Sequence, residues 1–209
     1  PQAPESRWER WAQESEGESM ATEDEPEASP SPTLIASLPK RGSRLWVPPT
    51  ERWRLGVSLP GSVETPYDLK ALRVGWVMDW QVRIATPVDH VVDYAQTVRM
   101  KGGLITPDRA TLSEVAAARP GSLWLISNEP DVRWQDNVPP DVYARLYHEA
   151  YHAIKQGDPD AIVAAGGIAQ PTPLRFRYLE AVLRDYQALY GAPMPADAWH
   201  IHNYMLREE

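Results

Sequence analysis

From about residue 53 the chain alternates short apolar runs with longer amphipathic stretches. "RLGVSL" (54–59) is a compact apolar run ended by Pro60-Gly61, which predicts a buried strand. "ALRVGWVMDW" (71–80) predicts a second strand, and "DYAQTVRM" (93–100) a third, closed by Gly102-Gly103. Thr106-Pro107-Asp108 reads as a helix N-cap, a first-turn proline and a first-turn acid, opening a helix to about Ala118. "SLWLIS" (122–127) predicts the fourth strand. Pro139-Pro140-Asp141 opens a second helix that closes near Gln156-Gly157. "AIVAAGG" (161–167) predicts a fifth strand and "PLRFRYLEAVLRDYQALY" (173–190) a long helix closed by Gly191. "AWHIHNY" (198–204) predicts a sixth strand.

Strands apolar on both faces and separated by helices imply a parallel α/β sheet. A doubly wound sheet and a (β/α)8 TIM-type barrel both fit, although the first connections are poor in helix. The absence of a glycine-rich loop after the first strand gives a nucleotide-binding doubly wound fold no support. Ahead of this region the pattern disappears. Between Ala12 and Pro39 stand seven acidic residues and no basic one. "ESEGESMATEDEPEASPSPT" holds too little apolar surface to offset the entropy of ordering. Residues 1–52 therefore read as a disordered acidic Pro/Ser/Glu-rich tail or linker, with Trp8 and Trp11 in its mobile leader, and 53–209 as the folded domain.

Composition narrows the function. With no cysteine in 209 residues, disulfides and thiolate metal sites are excluded. A net charge of -8 and the lack of a basic cluster argue against nucleic-acid binding. No apolar run approaches the length of a transmembrane segment. One motif nevertheless suggests metal chemistry. His148-Glu149-x-x-His152 matches HExxH, in which two imidazoles one helical turn apart hold zinc and the glutamate activates its water. A helical wheel gathers Tyr143, Leu146, Tyr147, Ala150 and Ile154 on one side. The histidines fall opposite, beside Arg145 and Lys155, on a face expected to meet water. The only tempting third ligand, Glu180, sits on another amphipathic helix, so the zinc-peptidase reading is disfavoured.

"LWLISNEPDVRW" (123–134) carries the stronger signal. An apolar strand ends in Asn128-Glu129-Pro130-Asp131, and the carboxyl ends of parallel strands form the active face of an α/β barrel. An apolar wall favours a protonated carboxyl, which a general acid requires. An asparagine beside it can both donate to and accept from a hydroxyl. Asp79 and Trp80, ending the second strand, and Trp134, beyond Glu129, are candidates to line a sugar subsite. Trp76 and Trp124 read as core, Asp131 as a loop-orienting group, Gly166-Gly167 as close backbone packing and His200 as a hydrogen-bonded core group. Gln170 faces the same rim, and His90 has no evident partner.

Strand-Asn-Glu-Pro resembles the fourth strand of clan A glycoside hydrolases, retaining (β/α)8 enzymes that include cellulase-like families. The run "WLISNEPDVRWQDNVPPDVYARLYHEAYHAIKQGDPDAIVAAGGIAQPTPLRFRYLE" looks like bacterial proteins described as cellulase-family, and the similarity extends from about Leu55 to the end. The resemblance implies that Glu129 is the acid/base and that Asn128 contacts the sugar 2-hydroxyl. It also implies that His202 and Tyr204, with Asn203 between them, line the sugar site. The partner is an oligo- or polysaccharide, and no metal or organic cofactor is implied. In the clan the nucleophile lies on strand seven, roughly 5 Å from the acid/base. Here the sixth strand is followed only by a short tail with Glu208 and Glu209, which nothing places on a buried strand. Roughly 155 residues follow the tail, against about 250 in a typical barrel. The expectation is a partial barrel with about the first six strands, inactive alone and lacking its nucleophile. The rival is a non-catalytic barrel that binds a glycan or a protein partner. The chain begins at Pro1 rather than Met, which allows for an upstream segment. An extracellular or cell-surface location is expected.

Overall fold

The computed structural model describes residues 55–59, 68–69, 71–85 and 92–204. The acidic segment 1–52, Trp8, Trp11, His90, Glu208 and Glu209 lie outside the described residues. Among the described residues are seven short strands: β1 (Gly56–Ser58), β2 (Trp76–Met78), β3 (Asp93–Tyr94), β4 (Gln96–Val98), β5 (Leu123–Ile126), β6 (Ile162–Ile168) and β7 (Ala198–Ile201). Three α-helices join them: α1 (Arg109–Ala118), α2 (Pro140–Gly157) and α3 (Pro173–Tyr190).

Every strand pair is parallel. β1-β2-β3 form one sheet and β4-β5-β6-β7 another, each in chain order. A doubly wound sheet reverses its order at a switch point; neither sheet does so. The strand expected over 93–100 is two pieces. Ala95 N still donates to Val77 O at 2.8 Å, but Thr97 N turns to Gln81 O at 2.9 Å, in the loop after β2. Gln96–Val98 are thereby released to pair with Trp124–Ile126 of β5.

Pro and Gly set the helix ends as the pattern predicts, with one displacement. α1 is capped by Asp108, whose carboxylate accepts from Thr111 N at 2.9 Å, not by Thr106. Thr106 cannot serve because its N–H and C=O are both spent on an antiparallel bridge to Arg99. α2 begins with Pro140 at its first turn, where a missing N–H costs nothing. α3 ends at Gly191 in the left-handed region, whose N–H returns to Gln187 O at 2.9 Å. The apolar stripe of α2 is buried as the wheel predicts, with Tyr143, Tyr147, Ala150 and Ile154 fully so. Buried tyrosine hydroxyls tie helices to the sheet and its loops. Gly166 N donates to Tyr143 Oη at 2.9 Å, and Tyr178 Oη donates to Val138 O at 2.7 Å. Trp124 is fully buried core; Trp76 is half-buried, its indole lying where a Cβ on Gly56 would sit.

β6 is the strand that later matters most. Its register against β7 slips between Gly166 and Ile168, a bulge at the carboxyl end. Gly166 and Gly167 have φ of 113° and 73°. A Cβ on Gly167 would stand 2.8 Å from Ser127 O and 3.0 Å from His200 Cε1, so both conformation and space demand glycine. The close-packing reading of this pair therefore holds. Gly167→Ala should lower the free energy of unfolding by about 2 kcal/mol or more. Urea denaturation of the two proteins measures the difference; equal midpoints would contradict this account of the bulge.

Candidate functional site

The bulge in β6 brings the site together. Glu129, just past β5, donates its N–H to Gly167 O at 2.8 Å. His202, just past β7, donates its N–H to Ile168 O at 2.9 Å. Two successive carbonyls of the middle strand thus hold the ends of its two neighbours. The side chains meet: His202 Nδ1 lies 2.9 Å from Glu129 Oε1. The pair is partly accessible, with 14% of the Glu129 side chain and 16% of the His202 side chain exposed. When His202 Nδ1–H donates to Oε1, the other carboxylate oxygen remains for proton exchange with a ligand.

Aromatic rings surround the imidazole. Trp80 meets it edge-on at 6.0 Å between centroids, and Tyr204 stands perpendicular to it at 6.1 Å. An indole or phenol face beside a carboxyl suits the C–H surface of a pyranose. Of the residues singled out in the sequence, Glu129, His202, Trp80 and Tyr204 therefore form one cluster. Asn128 adjoins it, buried, with its Nδ2 donating to Gln135 Oε1 at 3.0 Å. Trp134 lies apart from these contacts at the tip of the loop, 77% exposed, with the Arg133 guanidinium 4.7 Å above its ring. Asp79 is not presented as a subsite floor. It is 2% exposed, paired with Arg83 Nε at 2.6 Å and bonded by the Tyr94 hydroxyl.

The loop that carries Glu129 is held by two carboxylates. Asp131 accepts from Ala169 N at 3.2 Å and pairs with Arg175 Nη1 at 3.1 Å, the orienting role read from the sequence. Burial pushes its pKa up, against the pull of Arg175. The second carboxylate, Asp136, has no signal in the sequence. Its Oδ1 takes Arg99 Nε at 2.8 Å and Nη2 at 2.7 Å. Its Oδ2 takes Met100 N, Ser127 Oγ and Asn128 N, each at 2.9 Å. Ser127 and Glu129 both adopt positive φ, 72° and 47°. Such backbone persists only where the surroundings impose it, and it concentrates at functional sites.

The neighbouring His200 plays a different part. Its Nε2 is 3.1 Å from Ile126 O, the hydrogen-bonded core role expected of it. Burial, reinforced by nearby His202 and opposed by the Ile126 bond, pushes its pKa down from 6.5 to about 4.

The HExxH helix turns one of its two histidines to a packing role. Among the described residues no group of three or more His, Cys, Asp or Glu is placed to hold a metal ion. His152 is exposed as expected, but His148 is only partly so. Its ring stacks on Tyr190 at 3.8 Å and its Nδ1 lies 2.8 Å from Tyr186 Oη, because α3 packs over that side of α2. Lys155 likewise leaves the solvated face to contact Asp197 at 2.9 Å and Ala161 O at 2.6 Å. Glu180 is exposed on α3. No helix among the described residues is long and apolar enough to cross a membrane.

A parallel α/β fold thus carries a carboxyl, an imidazole and two aromatic rings together at its strand ends. Solved structures agree on the fold. A GH128 (subgroup II) endo-beta-1,3-glucanase from Pseudomonas viridiflava superposes with a TM-score of 0.57 at 21% identity, over 73% of this chain and 61% of that one. A GH128 (subgroup I) endo-beta-1,3-glucanase from Amycolatopsis mediterranei, in complex with laminaritriose, gives 0.52 at 16% identity, over 71% and 56%. This chain thus spans about three fifths of each. No family model matches the sequence, and no curated protein does.

Two tests follow from these contacts. Asp136→Ala, which strands Arg99 and the amides of Met100 and Asn128, should cost about 3 to 5 kcal/mol of stability in chemical denaturation. For His200 the folded pKa is depressed, so between pH 6.5 and 4 the unfolded chain binds a proton that the folded chain refuses. The folded state should lose up to about 3 kcal/mol as pH falls through that window. His200→Gln keeps an N–H for Ile126 O but does not titrate, so its stability should fall less steeply between pH 6.5 and 4. Parallel pH profiles would refute the assignment.

Proposed function

We propose that this chain carries the acid/base half of a retaining glycoside hydrolase of the clan A (β/α)8 type, with β-1,3-glucan as its substrate. The observation that carries this is the Glu129–His202 pair, 2.9 Å apart at the strand ends, with Trp80 and Tyr204 around it. Parallel pairing in chain order supports the barrel. The two glucanases of like fold, one of them holding laminaritriose, support the substrate class.

In this mechanism Glu129 protonates the glycosidic oxygen as the bond to the leaving sugar breaks. A second carboxylate, about 5 Å away, attacks the anomeric carbon. Glu129, now ionised, takes a proton from an incoming water whose oxygen bonds to the anomeric carbon and displaces the second carboxylate, and the enzyme returns to its first state. His202 holds one oxygen of Glu129 so that the other meets substrate. Asn128, fixed by Gln135, retains an amide proton for the sugar 2-hydroxyl. The buried carboxylates Asp79, Asp131, Asp136 and Asp158 all serve as internal acceptors, so none of these four is free to act as the nucleophile. That observation also favours a second reading, a barrel of the same fold that binds glycan without cleaving it. An extracellular or cell-surface location goes with a polysaccharide substrate in this reading.

In the full-length protein, Glu129→Gln should slow laminarin hydrolysis by roughly 10³-fold. Activated aryl glycosides, whose leaving groups need little protonation, should lose less in the glycosylation step. Reducing-end release and calorimetric binding of laminari-oligosaccharides measure both properties. Unchanged hydrolysis by the variant would remove Glu129 from the mechanism. Binding without hydrolysis by the unaltered protein would establish the second reading instead.

A further inference from the structure

The segment after β2 is fastened to the third strand region by a set of bonds that the mechanism above does not use. Asp79 carries Arg83 at 2.6 Å and the Tyr94 hydroxyl. Gln81 O accepts from Thr97 N at 2.9 Å and lies 3.2 Å from the Tyr94 hydroxyl. Gln96 grips the far end from both sides: its Oε1 accepts from Arg83 N at 2.7 Å and its Nε2 donates to Arg83 O at 2.9 Å. Gln96, Tyr94 and Asp79 are all buried, at 0%, 5% and 2% exposure, which anchors the partly buried segment from its inner side. Within the fastened segment stands Trp80 at φ 65°, a conformation unfavourable for a bulky side chain. Its ring ends 6.0 Å from that of His202.

We propose that Asp79, Tyr94 and Gln96 form a clamp that holds Trp80 against His202, and are therefore positioning residues for Glu129. The physical chain is short. A left-handed tryptophan relaxes unless its flanking backbone is over-determined, and the clamp fixes both flanks. Trp80 packed edge-on to the imidazole limits its rotation about χ2. A fixed imidazole presents Nδ1 to Glu129 Oε1, which sets the direction of the other oxygen. Three side chains away from the reacting atoms thus govern the aim of the proton donor. The catalytic consequence rests on the reading of Glu129 as acid/base; the clamp itself does not.

The experiment separates the two. His202 ring protons are followed by NMR in the full-length protein, assigned by their loss in His202→Gln. Trp80→Ala should shift them by removing the indole ring current. Tyr94→Phe, which deletes one oxygen and keeps the ring, should produce a comparable shift, and Gln96→Leu provides a second variant. Tyr94→Phe should also lower kcat on laminarin roughly tenfold while KM stays within about twofold, as for a misaimed rather than a missing group. Unmoved His202 resonances in both folded clamp variants, with a clear shift in Trp80→Ala, would overturn the clamp. So would a Trp80→Ala protein whose His202 resonances match the unaltered ones. Shifted resonances in a protein without laminarin hydrolysis would uphold the clamp and reject the glucanase reading.

Discussion

A single buried carboxylate organises the centre of this fold. Asp136 collects five donors from two distant parts of the chain: both bonds from Arg99, and those from Met100 N, Ser127 Oγ and Asn128 N. So buried a carboxyl is tolerable only because both its oxygens are fully used as acceptors and an arginine is paired with it. The effect is to lock the exit of β4 to the exit of β5. With those exits locked, Ser127 and Glu129 can be kept in left-handed backbone that neither would adopt alone. Loss of the carboxylate would release the strain and the direction of Glu129 together.

On the other side, β6 completes the constraint. The bulge at Gly166-Gly167 turns one carbonyl toward Glu129 N and the next toward His202 N. Residues 73 positions apart are thereby brought to 2.9 Å. The chemistry depends on this convergence more than on the general fold. Parallel α/β folds host many activities, and what distinguishes this one is the set of groups at the strand ends. A carboxyl, an imidazole, an indole and a phenol in one rim are suited to a neutral, hydroxyl-rich ligand with apolar C–H faces. Trp134, exposed with the Arg133 guanidinium over its ring, stands apart from that rim.

The opening ambiguity of the HExxH motif is settled by packing. The spacing is a fact of the helix, but a metal site also needs convergence from a second element. α3 supplies tyrosines there instead, and the imidazole of His148 becomes a stacking and hydrogen-bonding group. Its pKa is lowered by burial and by the neighbouring His152.

Local chemistry made much of this legible in the sequence. Pro140 and Gly157, Pro173 and Gly191 mark α2 and α3 because proline and glycine act on their own backbone. The apolar runs locate the strands, and Glu129 stands out as an acid where an apolar strand stops. The partners of those residues were hidden. Asp136 reaches Arg99 across 37 positions, Asp79 reaches Tyr94 across 15, and His148 reaches Tyr186 across 38. Thr106 looked like a cap until a backbone bridge claimed it. Periodicity and propensity report what a residue prefers within a turn or two of its own chain. Which carboxylates are spent as internal acceptors depends on donors delivered by other elements, and only the tertiary packing decides that.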